Sequence, residues 1–299
     1  MLAEFKSGFV TVIGRTNVGK SSIINALVGE KVSAVANKTQ TTRKNVKGIL
    51  NTENSQIIFI DTPGIHKPKS KLSNVMIEDA IGSIPEVDVV MYVVEAKTNT
   101  IDENTFSKIK EANKPTILII NKIDLVDPKK VASIIDMYKD LYDFKSIIPV
   151  SVTKNKNVKE IVKEIENNLP VGPAYYSQEE YTDQSLRVIA EETLREKALK
   201  LLQDEVPHGI LVECTKMKTR KTKDDEKIFD IEMTIYCLRD GHKGIIIGKG
   251  GSMLKKIGTY TREDLEKILD TKVNLKLWVK VKEDWINDDK LVKRFKAED

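Results

Sequence analysis

Eight residues near the start of the chain, Gly14-Arg15-Thr16-Asn17-Val18-Gly19-Lys20-Ser21, fit the pattern G-x-x-x-x-G-K-[ST]. That pattern works in one local architecture only. Its glycines let the backbone curl until several N–H groups face phosphate oxygens, its lysine supplies a point charge, and its hydroxyl sits on Mg²⁺. The loop therefore needs a buried strand before it and a helix after it. Residues 9–13 are apolar and β-branched, and residues 22–28 carry Ile23, Ile24, Ala26, Leu27 and Val28, so both requirements are met. Gly14, Arg15, Asn17, Val18, Gly19, Lys20, Ser21 and Ser22 are the expected phosphate contacts.

Strand-like segments recur at 46–50, 56–60, 87–95, 115–120 and 146–150, with helical patterns at 104–112 and 158–168. The alternation predicts an α/β P-loop domain, a mostly parallel sheet with helices on both faces and ligands at the carboxyl ends of its strands. At 299 residues the chain exceeds one ordinary domain. The run Leu169-Pro-Val-Gly-Pro173 reads as the start of a linker, giving a first domain at 1–170, a linker at 171–181 and a second domain at 182–299. There the pattern changes to a helix from 182, with Thr182 and Asp183 as candidate caps, strands at 208–217 and 227–238, a helix–turn–helix at 243–269 and a strand at 273–282. The order α-β-β-α-α-β is an α+β module.

Three further motifs fall at strand ends. Asp61-Thr62-Pro63-Gly64 places an acid where it can hold Mg²⁺ through water and a glycine amide where it can report a γ phosphate. Asn121-Lys122-Ile123-Asp124 offers a carboxylate to the two donors on one edge of guanine. Adenine lacks that pair, and a buried carboxylate left unpaired against it would lose a few kcal/mol. Ser151-Val152-Thr153 can present backbone to the guanine oxygen. Between the phosphate loop and Asp61, Thr42, with Thr41 as the alternative, can complete the Mg²⁺ shell.

Apolar runs such as 89–94 and 117–120 are too short to cross a bilayer. No basic-then-apolar leader opens the chain, which points to the cytoplasm. The two cysteines, Cys214 and Cys237, lack the spacing of a zinc site or disulfide framework. The formal charge of +4 is spread unevenly. Lys243, Lys249, Lys255 and Lys256 stand in a stretch without an acid, and Lys216, Lys218, Arg220, Lys221 and Lys223 form a second basic cluster. Such patches suit an anionic partner.

With these residues assembled, the chain resembles the Era group of translation-factor-related GTPases, through the phosphate loop with Asn17, the Gln40-Thr-Thr-Arg43 segment and Asp61-Thr-Pro-Gly64. Two residues depart from the group's pattern: Thr16 stands where proline is usual, and Val152 where alanine is usual. The resemblance implies a Mg²⁺-dependent GTPase in which Lys20, Thr42, Asp61 and Gly64 serve catalysis. Turnover would be slow, because Ile65 occupies the place of the glutamine that orients water in Ras-type enzymes; His66 is the candidate substitute. It also implies a K⁺ near Asn17.

The other half of the resemblance is Gly248-Lys249-Gly250-Gly251, a G-x-x-G turn between helices that lets a nucleic-acid backbone approach closely. Inside α-β-β-α-α-β it resembles a type II KH domain, with Lys243, Lys255 and Lys256 as further contacts. The implied partner is single-stranded RNA near the 3′ end of 16S ribosomal RNA, and the implied role is maturation of the small ribosomal subunit by a monomer, loosely associated with the membrane face. Trp278, in an alternating strand, is expected to pack in the core. An alternative is an RNA-binding scaffold with a structural nucleotide and negligible hydrolysis.

Overall fold

A computed structural model describes residues 4–36, 42, 45–65, 70–222 and 225–288. They fall into two compact units: the first takes the described residues up to Val35 and from Thr42 to Asp183, the second takes Ala36 and those from Gln184 on.

In the first unit the six strands are β1 (Lys6–Ile13), β2 (Val46–Asn51), β3 (Ser55–Asp61), β4 (Val89–Glu95), β5 (Thr116–Asn121) and β6 (Ser146–Pro149), in the order β2-β3-β1-β4-β5-β6. Every neighbouring pair is parallel except β2 with β3, which run antiparallel with Val46 opposite Asp61. The strands read as continuous apolar runs because helices cover both faces. One face holds Val10, Val12, Phe59, Met91 and Ile117 against Ile23 and Ile24 of α1 (Lys20–Val28) and Ile161 and Ile165 of α5 (Val158–Asn168). The other holds Ile13, Tyr92 and Ile120 with Ala80 of α2 (Lys71–Gly82), Phe106 of α3 (Glu103–Ala112), and Ile134 and Tyr138 of α4 (Pro128–Lys139). Helix α4 opens with Pro128 in its first turn, and the Asp127 side chain accepts from the Lys130 amide, a start signal written in the sequence.

Residues 171–182 lie along this unit. Val171 bridges to Lys6 and Thr182 to Gly48. Gln56 is fully buried; its Oε1 accepts from the Tyr175 and Tyr176 amides at 2.7 and 2.9 Å, and its Nε2 donates to the Tyr176 carbonyl at 2.8 Å. A buried amide side chain needs such partners, and here they come from the backbone of residues 175–176 and from the Asn51 Oδ1, which accepts from Nε2 at 2.7 Å. Thr182 and Asp183 are thus occupied differently from the helix caps expected of them. The Thr182 hydroxyl donates to the Lys47 carbonyl at 2.8 Å, and Asp183 accepts from the Lys47 ammonium at 2.8 Å.

The second unit starts its helix later than expected, with α6 at Leu186–Leu201 and the Ser185 hydroxyl accepting from the Val188 amide. Strands β7 (Leu211–Lys221) and β8 (Lys227–Cys237) are antiparallel, and β9 (Lys272–Val281) lies parallel to β8. Helices α7 (Asp240–Ile247) and α8 (Ser252–Ile268) complete the α-β-β-α-α-β order. Its core gathers Ala190, Leu194, Phe229, Ile231, Ile235, Ile246, Ile257 and Leu265.

Trp278 corrects the sequence expectation. The odd-numbered residues of β9, from Val273 to Val281, turn toward the core, so Trp278 is out of phase with them and 41% exposed. Trp285 is the buried indole, 1% exposed, with its Nε1 donating to the Gly209 carbonyl at 3.0 Å. Among the described residues, no helix is long and apolar enough to cross a membrane.

Candidate functional site

The motifs Gly14–Ser21, Asp61–Gly64, Asn121–Asp124 and Ser151–Thr153 begin at or just beyond the carboxyl ends of β1, β3, β5 and β6. Helix α1 starts at Lys20, with Gly14 and Gly19 both at positive φ. Ser21 and Ser22 lie in its first turn, beside amides that have no helical partner.

Lys20 is buried, and its ammonium donates to the carbonyls of Gly14 and Arg15, both at 3.1 Å. Burial pulls its pKa down to about 8, with the charge of Asp61 opposing. Two carbonyls hold a place that phosphate oxygens would fill better, since an ammonium in a dry loop gains most from an anion.

Asp61 is fully buried. Its Oδ2 accepts from the Ser21 hydroxyl at 2.7 Å and from the Thr42 hydroxyl at 3.2 Å, and those two hydroxyls lie 2.9 Å apart. Its Oδ1 has no partner. Burial pushes the carboxyl pKa up, with the Ser21 hydrogen bond and the Lys20 charge opposing. A buried carboxylate oxygen without a donor is unfavourable unless a cation or its water stands against it. One carboxylate and two hydroxyls, all oxygen, suit a hard divalent ion that keeps several waters. Ser21, Thr42 and Asp61 therefore come together as a Mg²⁺ site requires; Thr41 lies outside the described residues.

The Asp61–Gly64 loop rests on the phosphate loop. The Ile65 amide donates to the Gly14 carbonyl at 3.2 Å, and Ile65 is 8% exposed. Gly64 lies so near Thr16 that a Cβ at position 64 would stand 2.7 Å from the Thr16 Cα. An apolar, buried Ile65 offers nothing to orient water. His66 lies outside the described residues.

At the base-reading end, the Asn121 side chain donates to the Val18 carbonyl at 2.9 Å and accepts from the Lys122 amide at 2.8 Å. Lys122 has a positive φ; its ammonium donates to the Asn17 carbonyl at 2.6 Å and pairs with Glu95 at 3.3 Å. The Asp124 carboxylate is exposed, where burial was expected. It is organised instead by the Ser151 hydroxyl at 2.6 Å and the Thr153 hydroxyl at 3.2 Å. Chiefly the Ser151 hydrogen bond holds its pKa below the usual carboxylate range. Val152 packs on the core between them, while Ser151 and Lys156 exchange backbone hydrogen bonds at 3.1 and 2.9 Å.

In the second unit, α7 is capped by Gly248, with φ of 72°, followed by Gly250 at 59° and Gly251 at 80°. A Cβ on Gly248 would lie 2.8 Å from the Met253 Cβ, whereas one on Gly250 or Gly251 would meet nothing within 4 Å. The first glycine is thus demanded by packing, and the other two leave an open backbone surface. Lys249, Lys255 and Lys256 are exposed around it and Lys243 is half-buried. The second basic cluster is different. Lys216 pairs with Glu232, Arg220 with Asp230 and Lys221 with Asp225, so acids neutralise much of it; Lys223 lies outside the described residues.

Residues 9–122 match the family model described as 50S ribosome-binding GTPase, and residues 205–286 match that of the KH domain. A GTPase Era of Ruminiclostridium cellulolyticum is 48% identical over 97% of both chains. That of Clostridium tetani is 49% identical, covering 97% of this chain and 98% of its own. The chain belongs to the Era family of GTPases.

Among solved structures, Era in complex with MgGDPNP and nucleotides 1506–1542 of 16S ribosomal RNA superposes with a TM-score of 0.92 at 40% identity, covering 97% of this chain and 98% of that one. A point variant of Aquifex aeolicus Era bound to GDP·AlF₄⁻ gives the same TM-score and identity over 97% of this chain and 99% of its own. Era-family membership makes this chain a GTPase, so the reading as a scaffold with negligible hydrolysis falls. Sequence reasoning missed the Glu95 pairing with Lys122 and the Thr153 bond to Asp124. It also missed the tie from Asn25 to residues 32–33, where a polar residue on the apolar stripe of α1 was the available signal.

Proposed function

We propose that this Era-family GTPase binds the 3′-terminal region of small-subunit ribosomal RNA through its KH unit and releases it on GTP hydrolysis, during maturation of the small ribosomal subunit. The observation that carries this is the presence in one chain of an ordered guanine-reading carboxylate, Asp124 on Ser151 and Thr153, and an open, lysine-rimmed glycine turn at 248–251. The relative solved with MgGDPNP and 16S RNA supports the pairing of the two ligands.

In this reading Gly14–Ser22 cradle the phosphates, with Lys20 moving its ammonium from the Gly14 and Arg15 carbonyls to phosphate oxygens. Ser21, Thr42 and Asp61 hold Mg²⁺, Asp61 through water. The ion supplies neutralisation of charge on the β and γ phosphates when bound. Gly64 signals the γ phosphate, Asn121, Lys122 and Asp124 select guanine, and Ser151 and Val152 border the base. Asn17 is the residue for K⁺, and an unchanged hydrolysis rate with sodium replacing potassium would remove that role. The protein works as a cytoplasmic monomer; a peripheral attachment to the membrane is an extension that vesicle flotation would test.

The deciding experiment measures affinity for a fragment of the 16S RNA 3′ end with a GTP analogue and with GDP, across salt concentrations. Tighter binding with the analogue, a steep salt slope and loss of both in the double variant K249E/K255E are expected. Equal affinity in the two nucleotide states would sink the switch.

A further inference from the structure

Asn25 stands on α1 just past the phosphate loop, and its side chain is spent entirely on one short segment. Its Oδ1 accepts from the Val32 and Ser33 amides at 3.0 and 2.9 Å, and its Nδ2 donates to the Ser33 carbonyl at 2.8 Å. Both main-chain polar groups of Ser33 are therefore held by one amide side chain on a rigid helix. Such a clamp fixes where the Ser33 side chain goes.

Ser33 is 2% exposed, and its hydroxyl has no hydrogen-bond partner. A buried hydroxyl left so is unfavourable. The Ser33 hydroxyl is near enough to the Asp61 carboxyl to help hold its pKa down as a hydrogen-bond donor would, yet it stops short of hydrogen-bond geometry with either oxygen. Asp61 Oδ1 is also buried without a partner. A buried hydroxyl and a buried carboxylate oxygen in the same corner of the site, neither with a hydrogen-bond partner, are both served by one water with two to four polar partners.

We propose that Ser33 is a positioning residue of the Mg²⁺ shell: its Oγ and Asp61 Oδ1 together hold one water of the Mg²⁺–nucleotide complex, and Asn25 fixes Ser33 for that task. The inference rests on the nucleotide-site reading above and adds a residue outside all four motifs. Ser33 touches neither nucleotide nor the ion; it orients a water that does. Outer-sphere partners of this kind raise metal affinity by about 10–100-fold.

The test uses the full chain loaded with a fluorescent GDP, its release followed across a Mg²⁺ titration and in excess EDTA. Ser33→Ala should raise the Mg²⁺ concentration that half-maximally slows release by about tenfold, with release in EDTA unchanged. Asn25→Ala should shift the midpoint in the same direction. Ser33→Cys keeps the volume but bonds water weakly, so it gives the same shift should the alanine variant melt too early to load. Ser33→Thr, which keeps the hydroxyl, should restore the wild-type midpoint. A wild-type midpoint in a folded Ser33→Ala or Ser33→Cys protein overturns the proposal. Release insensitive to Mg²⁺ in the unmodified protein would instead overturn the parent reading, and this one with it.

Discussion

The Asn121 side-chain amide donates to the Val18 carbonyl at 2.9 Å, tying the base-reading end of β5 to the phosphate loop across 103 residues of sequence. Asn121 is 3% exposed and also accepts from the Lys122 amide. One side chain thus sets the spacing between the group that reads the base and the loop that reads the phosphates. Asn121→Ala leaves a buried carbonyl and a backbone amide without those partners. A destabilisation of about 1–3 kcal/mol is expected in urea unfolding of the nucleotide-free protein. Guanine-nucleotide affinity should fall with it, and an unaltered urea midpoint would refute the tie.

Lys20 makes the free protein sensitive to alkaline pH. Its folded pKa, about 8, lies below the ordinary 10.5. The unfolded chain therefore binds more protons between those values, and stability rises with pH across that window. Lys20→Met should flatten the rise. Phosphates favour the charged lysine, so nucleotide binding near pH 8 should take up a fraction of a proton, and uptake should fade toward pH 6. Calorimetry in buffers of different ionisation enthalpy measures it; proton release would contradict the assignment.

The glycine turn of the KH unit separates folding from binding. Gly248→Ala drives a Cβ to within 2.8 Å of Met253 at a φ of 72°, and should lower the melting temperature. Gly250→Asp enters open space at a φ of 59°, a conformation aspartate tolerates. It should leave melting nearly unchanged while abolishing RNA binding through charge and bulk at the contact. Equal melting losses from the two would show that position 250 is a structural one.

The two tryptophans give a second contrast. Truncating buried Trp285 to alanine should destabilise by about 3–5 kcal/mol, whereas exposed Trp278 should change stability by less than about 1 kcal/mol. Chemical denaturation of both variants decides it. The larger loss at Trp278 would restore the core placement that alternation suggested.

The sequence made the site legible where chemistry needs a fixed residue at a fixed spacing. Lys20, Ser21 and Asp61 converge because strand, loop and helix leave them little choice, and Thr42 joins them at 2.9 Å from Ser21. The order of elements was also readable, since helical and strand periods differ. What stayed hidden depends on which face turns inward or on partners distant in sequence. Trp278 belongs to an alternating strand whose valines and leucines, not its indole, take the core phase. Thr182 and Asp183 look like helix caps locally, yet Lys47, 135 and 136 residues away, claims both. The hydroxyls that hold Asp124, those of Ser151 and Thr153, come from 27 and 29 residues away, which no local pattern records.

The close approach of Gly64 to Thr16 has a consequence for inheritance. A would-be Cβ at 64 stands 2.7 Å from both the Thr16 Cα and its Cγ2 methyl and 3.0 Å from its amide nitrogen, so Gly64 sits directly on residue 16, backbone and side chain together. Position 16 can vary, as threonine in place of the usual proline illustrates, but only among side chains that keep to the space the Thr16 methyl now fills beside Gly64. Position 64 has no such freedom. Drift in this chain should therefore accumulate on one side of this contact while the other stays glycine, so that any remodelling of the switch begins at residue 16.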